Sequence, residues 1–185
     1  MNKSKSSQRI RCLVEGAIFV ALAQVLGYLK IWSMPNGGSV TLLMLPIFIY
    51  AYRWGMGPGL LAGFVLSLLQ LFLDRNYTIG WQGIILDFLV AFTLLGFAGI
   101  GSGKKGGLFW GACIGAVLRF LSHYIAGATI WAEWMPDKFI GIPMTSPWIY
   151  SALYNGIPVG LSLAAALAVL AILAKPLKKY LAKQN

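Results

Sequence analysis

PWIYSALYNGIPVGLSLAAALAVLAILA, residues 147–174, carries no acidic, basic or imidazole side chain from end to end. A helix rises about 1.5 Å per residue and the hydrocarbon core of a bilayer is about 30 Å thick, so a stretch this long and this apolar reads as a membrane span. Further apolar stretches lie at about 10–29, 40–53, 58–73, 80–100 and 107–131. The expectation is an all-α integral membrane protein, a six-helix transmembrane bundle filling a single domain over 1–185. The second and third spans are short and are met by Pro46 and Pro58, which predicts tilt, a kink or a partly re-entrant path. Basic residues precede the first stretch, but no convincing small-residue cleavage site follows it, so it is expected to be a retained helix rather than a signal peptide.

Composition agrees. Hydrophobic residues make up 58% of the chain and charged ones 11%, with mean hydropathy +0.74, far from the balance of a water-soluble domain. The net charge of +10 invites a nucleic-acid reading, but its placement favours a membrane. Six spans put Lys3, Lys5, Arg9, Arg11, Arg53, Lys104, Lys105, Lys175, Lys178, Lys179 and Lys183 on one side, against Lys30, Arg75 and Lys138 on the other. That bias predicts cytoplasmic termini, with the basic residues meeting anionic lipid headgroups and no nucleic acid as partner.

Several chemistries find no support. Cys12 and Cys113 are isolated, with neither a CxxC nor a His at ligand spacing, so no disulfide framework and no metal site is expected. The GSGKKGG turn at 101–107 only superficially resembles a phosphate loop. Ala98 stands where the first glycine of such a loop belongs, and Lys105 where the hydroxyl residue belongs. There is one His, no HExxH and no evident nucleophile beside it, so catalysis fits poorly and no cofactor is expected.

Four ionisable residues fall inside spans, Glu15, Asp87, Arg119 and His123, and in lipid such residues are functional candidates by default. From the helical rise, Asp87 lies about 10 Å and His123 about 12 Å below the outer ends of their helices, with Asn155 at a similar depth. An acid, an imidazole and a carboxamide thus share one layer, which suggests a polar pocket in the outer half. Arg119, one turn from His123, reads as balancing Asp87 or tying helices. Glu15 is expected at the interface or facing a partner. Around the layer stand Trp32, Tyr77, Trp81, Phe88, Trp131, Tyr150 and Tyr154, either as pocket walls suited to a planar organic cation or as an aromatic belt. Gly127, one turn from His123, leaves a flat surface for a ring. The loop from about 131 to 146 reads as a lid, with Trp134 and Trp148 as headgroup anchors. Small residues four apart, Ala17 and Ala21, Gly59 and Gly63, Gly111 and Gly115, Gly156 and Gly160, allow close helix contact. The glycine pairs suit contact within the bundle, and the alanine pair a separate subunit.

EGAIFVALA at 15–23, MPNGGSVTLLMLPI at 34–47, LRFLSHYIAGATIW at 118–131 and SPWIYSALYNG at 146–156 together resemble the energy-coupled thiamine transporter family, the thiamine-specific S-component of energy-coupling-factor (ECF) importers. The resemblance implies a six-helix bundle that captures thiamine from outside. It also implies partners: a transmembrane coupling subunit and two cytosolic ATPase subunits. It implies substrate-binding roles for Asp87, His123, Trp131, Tyr150, Asn155, Tyr77 and Trp32, and a coupling-subunit contact at Ala17 and Ala21. The family acid is usually Glu and its successor often Tyr, where this chain has Asp87 and Phe88. Rival readings are an S-component for another vitamin or pyrimidine precursor, a proton-coupled stand-alone carrier using Asp87, Arg119 and His123, and a small membrane enzyme.

Overall fold

The computed structural model describes residues 5–34, 38–74 and 80–182. Among the described residues, five helices are long and apolar enough to cross a membrane. They are α1 (Lys5–Tyr28), α3 (Met56–Asp74), α4 (Gly80–Gly101), α5 (Gly107–Thr129) and α6 (Pro147–Ala174). Between α1 and α3 lies α2 (Met44–Trp54), and the chain closes with α7 (Lys178–Leu181). Two small hairpins occupy the connections. β1 (Trp32–Ser33) pairs antiparallel with β2 (Ser39–Val40), and β3 (Lys138–Phe139) with β4 (Ile142–Pro143).

The stretch expected as a short second span at 40–53 is carried by α2, which leads from the hairpin end of the bundle to the end where Arg53 meets Glu15. The first residues of the stretch form β2 and a turn, and the helix that remains is eleven residues long. At 1.5 Å per residue it covers about 16 Å, roughly half the hydrocarbon thickness. All of it except Tyr52 and Trp54 is buried, among α1, α3, α4 and α5. A helix apolar all round belongs inside protein rather than against lipid, and Phe48, Ile47 and Met44 form the centre of the core. Pro46 sits in the first turn, where its missing N–H has no intrahelical acceptor to lose.

Close helix contact concentrates on α3 and α4. A Cβ on Gly63 would stand 2.5 Å from the Phe92 carbonyl oxygen and 3.0 Å from Thr93 Cα, so only glycine lets these backbones touch. Gly111 and Gly115 face the α4 backbone in the same way, whereas Gly160 has open space around it. The identical spacing in the sequence therefore has two different meanings.

α4 is not a uniform α-helix. It widens to π geometry over Ile84–Val90 and tightens to 3-10 geometry over Leu94–Gly101. Ser122 of α5 donates to the Leu86 carbonyl at 2.6 Å within the widened segment. Such local widening is common at functional sites because it re-aims the side chains it carries, here Asp87.

At the opposite end from the hairpins, Glu15 is half-buried and gathers several donors. Its carboxylate accepts from Arg53 Nε, Trp54 Nε1 and Tyr180 Oη at 2.8, 2.8 and 2.9 Å, and from Arg11 Nε at 2.8 Å. Arg53 is buried rather than meeting headgroups. It also donates to the Tyr180 carbonyl and lies 4.0 Å over the Tyr180 ring. One carboxylate thus fastens α1, α2 and α7. Burial and donation to Glu15 push the Tyr180 phenol up to about 12. Cys12 and Cys113 are free thiols, and Cys12 lies against Tyr50.

Candidate functional site: a polar cavity under two hairpins

A cavity of about 210 Å³ opens at the end of the bundle that carries the hairpins. Asp87, His123, Trp131, Tyr150 and Asn155 all line it. Each comes from a different turn of α4, α5, the connection after α5, or α6, so the site exists only when these elements pack.

The centre is a chain of hydrogen bonds. His123 Nδ1 lies 2.9 Å from Asp87 Oδ1, and Trp131 Nε1 donates to Asp87 Oδ2 at 3.0 Å. Arg119 Nε donates to His123 Nε2 at 3.3 Å. With Nε2 accepting, Nδ1 carries the imidazole proton and donates to the carboxylate, the neutral tautomer. A carboxylate has about four acceptor positions, so Asp87 keeps capacity after these two bonds. Arg119 rests over the Phe92 ring at 4.5 Å, and Phe92 meets His123 edge-on at 6.5 Å. The guanidinium therefore supports the imidazole from behind, and both Arg119 and Phe92 line the cavity.

Asn155 Nδ2 contacts the His123 carbonyl at 3.2 Å and Ser151 Oγ at 3.1 Å. Ser151 in turn donates to the Tyr124 carbonyl at 2.7 Å. A Cβ on Gly127 would stand 2.9 Å from Asn155 Nδ2 and would also meet Ser151 Oγ, so this glycine is required for α5 and α6 to approach as well as for the cavity surface. Tyr150 is buried, with Tyr154 at 5.3 Å between ring centroids. Phe139 of β3 covers both, edge-on to Tyr150 at 5.4 Å.

The sequence-derived aromatics divide. Phe88, Trp131, Tyr150 and Tyr154 are cavity walls, whereas Trp81 is 68% exposed and belongs to the outer surface. Trp32 lies on β1, 45% exposed, and is not among the lining residues, although Lys30 and Ser39 beside it are. Tyr77 lies outside the described residues. Trp134, expected as a headgroup anchor, is 52% exposed and also lines the cavity, meeting Trp131 at 5.8 Å. The connection 131–146 folds back in a short 3-10 turn and a hairpin, which brings Trp134 in. Sequence reasoning also missed Ser151, Ser122, Phe92 and Gln70. A serine or glutamine in an apolar span is a polar side chain needing a partner, and that signal was available.

Comparison with known proteins agrees with this arrangement. A family model described as thiamine transporter protein matches residues 13–182. The thiamine transporter ThiT of Bacillus subtilis (strain 168) is 34% identical over 170 residues, covering 84% of each chain. The thiamine transporter ThiT of Lacticaseibacillus paracasei is 31% identical over 161 residues, covering 78% of this chain and 77% of its own. The solved structure of ThiT from Listeria monocytogenes superposes with a TM-score of 0.80, covering 95% of this chain and 99% of that one at 24% identity, a likeness of fold. These matches run through α1, the buried α2 and the cavity helices alike, and the chain belongs to the thiamine transporter protein family, a family of transporters and not of enzymes.

Proposed function

We propose that this chain is the substrate-capturing S-component of an ECF-type importer, binding thiamine from the outer side of the cell membrane for uptake driven by partner subunits. The observation that carries the reading is the Asp87 carboxylate, held by His123 and Trp131 inside an aromatic-walled cavity. Thiamine joins a cationic thiazolium to an aminopyrimidine that donates and accepts. A fixed anion beside flat π-faces suits the first ring, through charge pairing and cation–π attraction of about 0.5–2 kcal/mol per well-placed ring. Asn155, with Ser151 behind it, and Tyr150 suit the polar edge of the second. His123 and Trp131 supply both hydrogen bonds to the acid and flat surfaces.

The proposal places both termini in the cytoplasm, on the basis of the basic-residue bias, so that the hairpin-capped cavity faces outward. Ala17 and Ala21 are exposed on α1 among Leu13, Val14, Ile18 and Leu22, a small-residue notch in an apolar face. That surface suits a transmembrane coupling subunit, which with two cytosolic ATPases supplies the energy.

Titration of the detergent-purified chain with thiamine, read by tryptophan fluorescence and by calorimetry, tests the capture step. Saturable one-to-one binding at submicromolar concentration is expected. Absence of heat and of quenching would remove thiamine as ligand. Uptake by the chain alone in liposomes would instead establish a self-sufficient carrier.

A further inference from the structure

The lining residues given a role so far in binding belong to α4, α5, α6 and the loop between the last two. Another wall comes from α1, the β2–α2 segment and α3, and presents Gly27, Thr41, Leu43 and Gln70. Gln70 and its neighbour Gln24 are both more than nine-tenths buried. Gln70 Nε2 donates to Gln24 Oε1 at 2.8 Å, joining α3 to α1. That bond fixes the Gln70 amide and leaves Oε1 as its spare end. Among the described residues nothing hydrogen-bonds Gln70 Oε1, and Gln24 Nε2 is buried without a partner. Buried amides are normally satisfied, and the shortfall here falls at a cavity wall.

Gly27 makes the amide reachable. A Cβ at that position would stand 3.4 Å from Gln70 Nε2 and 2.8 Å from Leu43 Cδ1, so any larger residue would press on the amide and narrow the cavity beside it. Three observations thus meet at one place: a buried amide with an idle acceptor, a glycine that clears space beside it, and the cavity onto which both open.

We propose that Gln70 is a specificity-determining residue of the binding site, whose Oε1 accepts a hydrogen bond from a neutral N–H or O–H of the ligand, with Gln24 holding the amide in orientation. A carbonyl oxygen selects a donor and gives nothing to an acceptor, so it discriminates by hydrogen-bonding pattern where Asp87 discriminates by charge. The inference rests on the thiamine reading above. Thiamine carries two neutral donors, the amino group of the pyrimidine and the hydroxyl of the side arm on the thiazolium, and both fit the chemistry.

The experiment is a titration of the full chain and of its Gln70→Met and Gln70→Asn variants with three ligands. These are thiamine, the analogue with hydrogen in place of the side-arm hydroxyl, and the analogue with hydrogen in place of the amino group. Methionine keeps the volume without the amide, and asparagine keeps the amide one methylene short. Gln70→Met is expected to weaken thiamine about tenfold. It is also expected to abolish the preference for thiamine over one of the two analogues, which names the donor, while the preference over the other persists. Gln70→Asn, should the methionine variant not fold, is expected to shrink the same single preference. If both preferences persist in full in the folded variants, Gln70 only fills space and the proposal is overturned. If the unaltered chain binds no thiamine, the thiamine reading fails and takes this one with it.

Discussion

Asp87 and Arg119 share one imidazole: His123 meets the carboxylate with Nδ1 at 2.9 Å and the guanidinium with Nε2 at 3.3 Å. The acid and the base on either side of the ring are thereby coupled without touching. Arg119 orients the imidazole, and the imidazole together with Trp131 orients the acid. In a partly buried site each partner left alone is a poorly satisfied group, so the three are expected to act as a unit.

Replacing Asp87 by Asn keeps the shape and removes the charge. Thiamine affinity is expected to fall by roughly 100-fold, about 2–3 kcal/mol, the worth of a charged hydrogen bond in a partly buried site. Calorimetry checks the value. The His123→Ala loss should be smaller in the Asp87→Asn background than in the unaltered chain, by about 1 kcal/mol, since the two side chains are in direct contact. Additive losses would show that the ring and the acid contribute separately.

Tyr180 makes a prediction about alkaline pH. Burial and the Glu15 carboxylate raise its phenol from 10.0 to about 12. A group whose pKa is raised on folding contributes stability that is whole below the unfolded value, and that is lost as pH rises through the folded one. The bundle should therefore lose stability between pH 10 and 12. Thermal unfolding of Tyr180→Phe should start lower by about 1 kcal/mol, for the lost hydrogen bond, and decline less steeply over that interval. Parallel curves for the two proteins would contradict the coupling of α7 to Glu15.

The glycines of α3 and α6 separate spacing from contact. Gly63→Ala drives a Cβ into the Phe92 carbonyl, against backbone that cannot swing aside, and should destabilise the bundle by about 1–3 kcal/mol. Gly160→Ala meets nothing within 4 Å and should be neutral or slightly stabilising, by up to about 1 kcal/mol from helix propensity. Thermal unfolding in detergent reads both.

The β3–β4 turn holds Ile140 at φ 53° and Gly141 at φ 76°. A left-handed conformation is strained for a β-branched residue, and Ile140 is exposed, so no buried contact accounts for the strain. Ile140→Asn should stabilise the hairpin by about 1 kcal/mol. Because the hairpin carries Phe139 over Tyr150 and Tyr154, slower release of bound thiamine is expected in a stopped-flow chase.

The layer of Asp87, His123 and Asn155 was legible from helical rise alone. Once three spans are fixed in direction, depth follows from residue count. Trp32 was not legible, because its place depends on how a loop between α1 and α2 turns, and loops carry no periodicity to read. The place of Trp134 beside the cavity was not legible for the same reason. Arg53 was assigned to the membrane surface from topology, and the structure instead buries it against Glu15, where several donors satisfy one carboxylate.

What the sequence by itself determined is the solvent, the class of fold and the residues whose presence in lipid demands a partner, because apolar length and the cost of desolvating a charge are properties of the chain. Only the tertiary structure decided that α2 is a short buried core helix, that Gly63 is a helix contact while Gly160 is open, and that Gln70 faces the cavity. Those depend on which backbone lies within a few ångströms of which, and that distance is set by the packing of helices far apart in the chain.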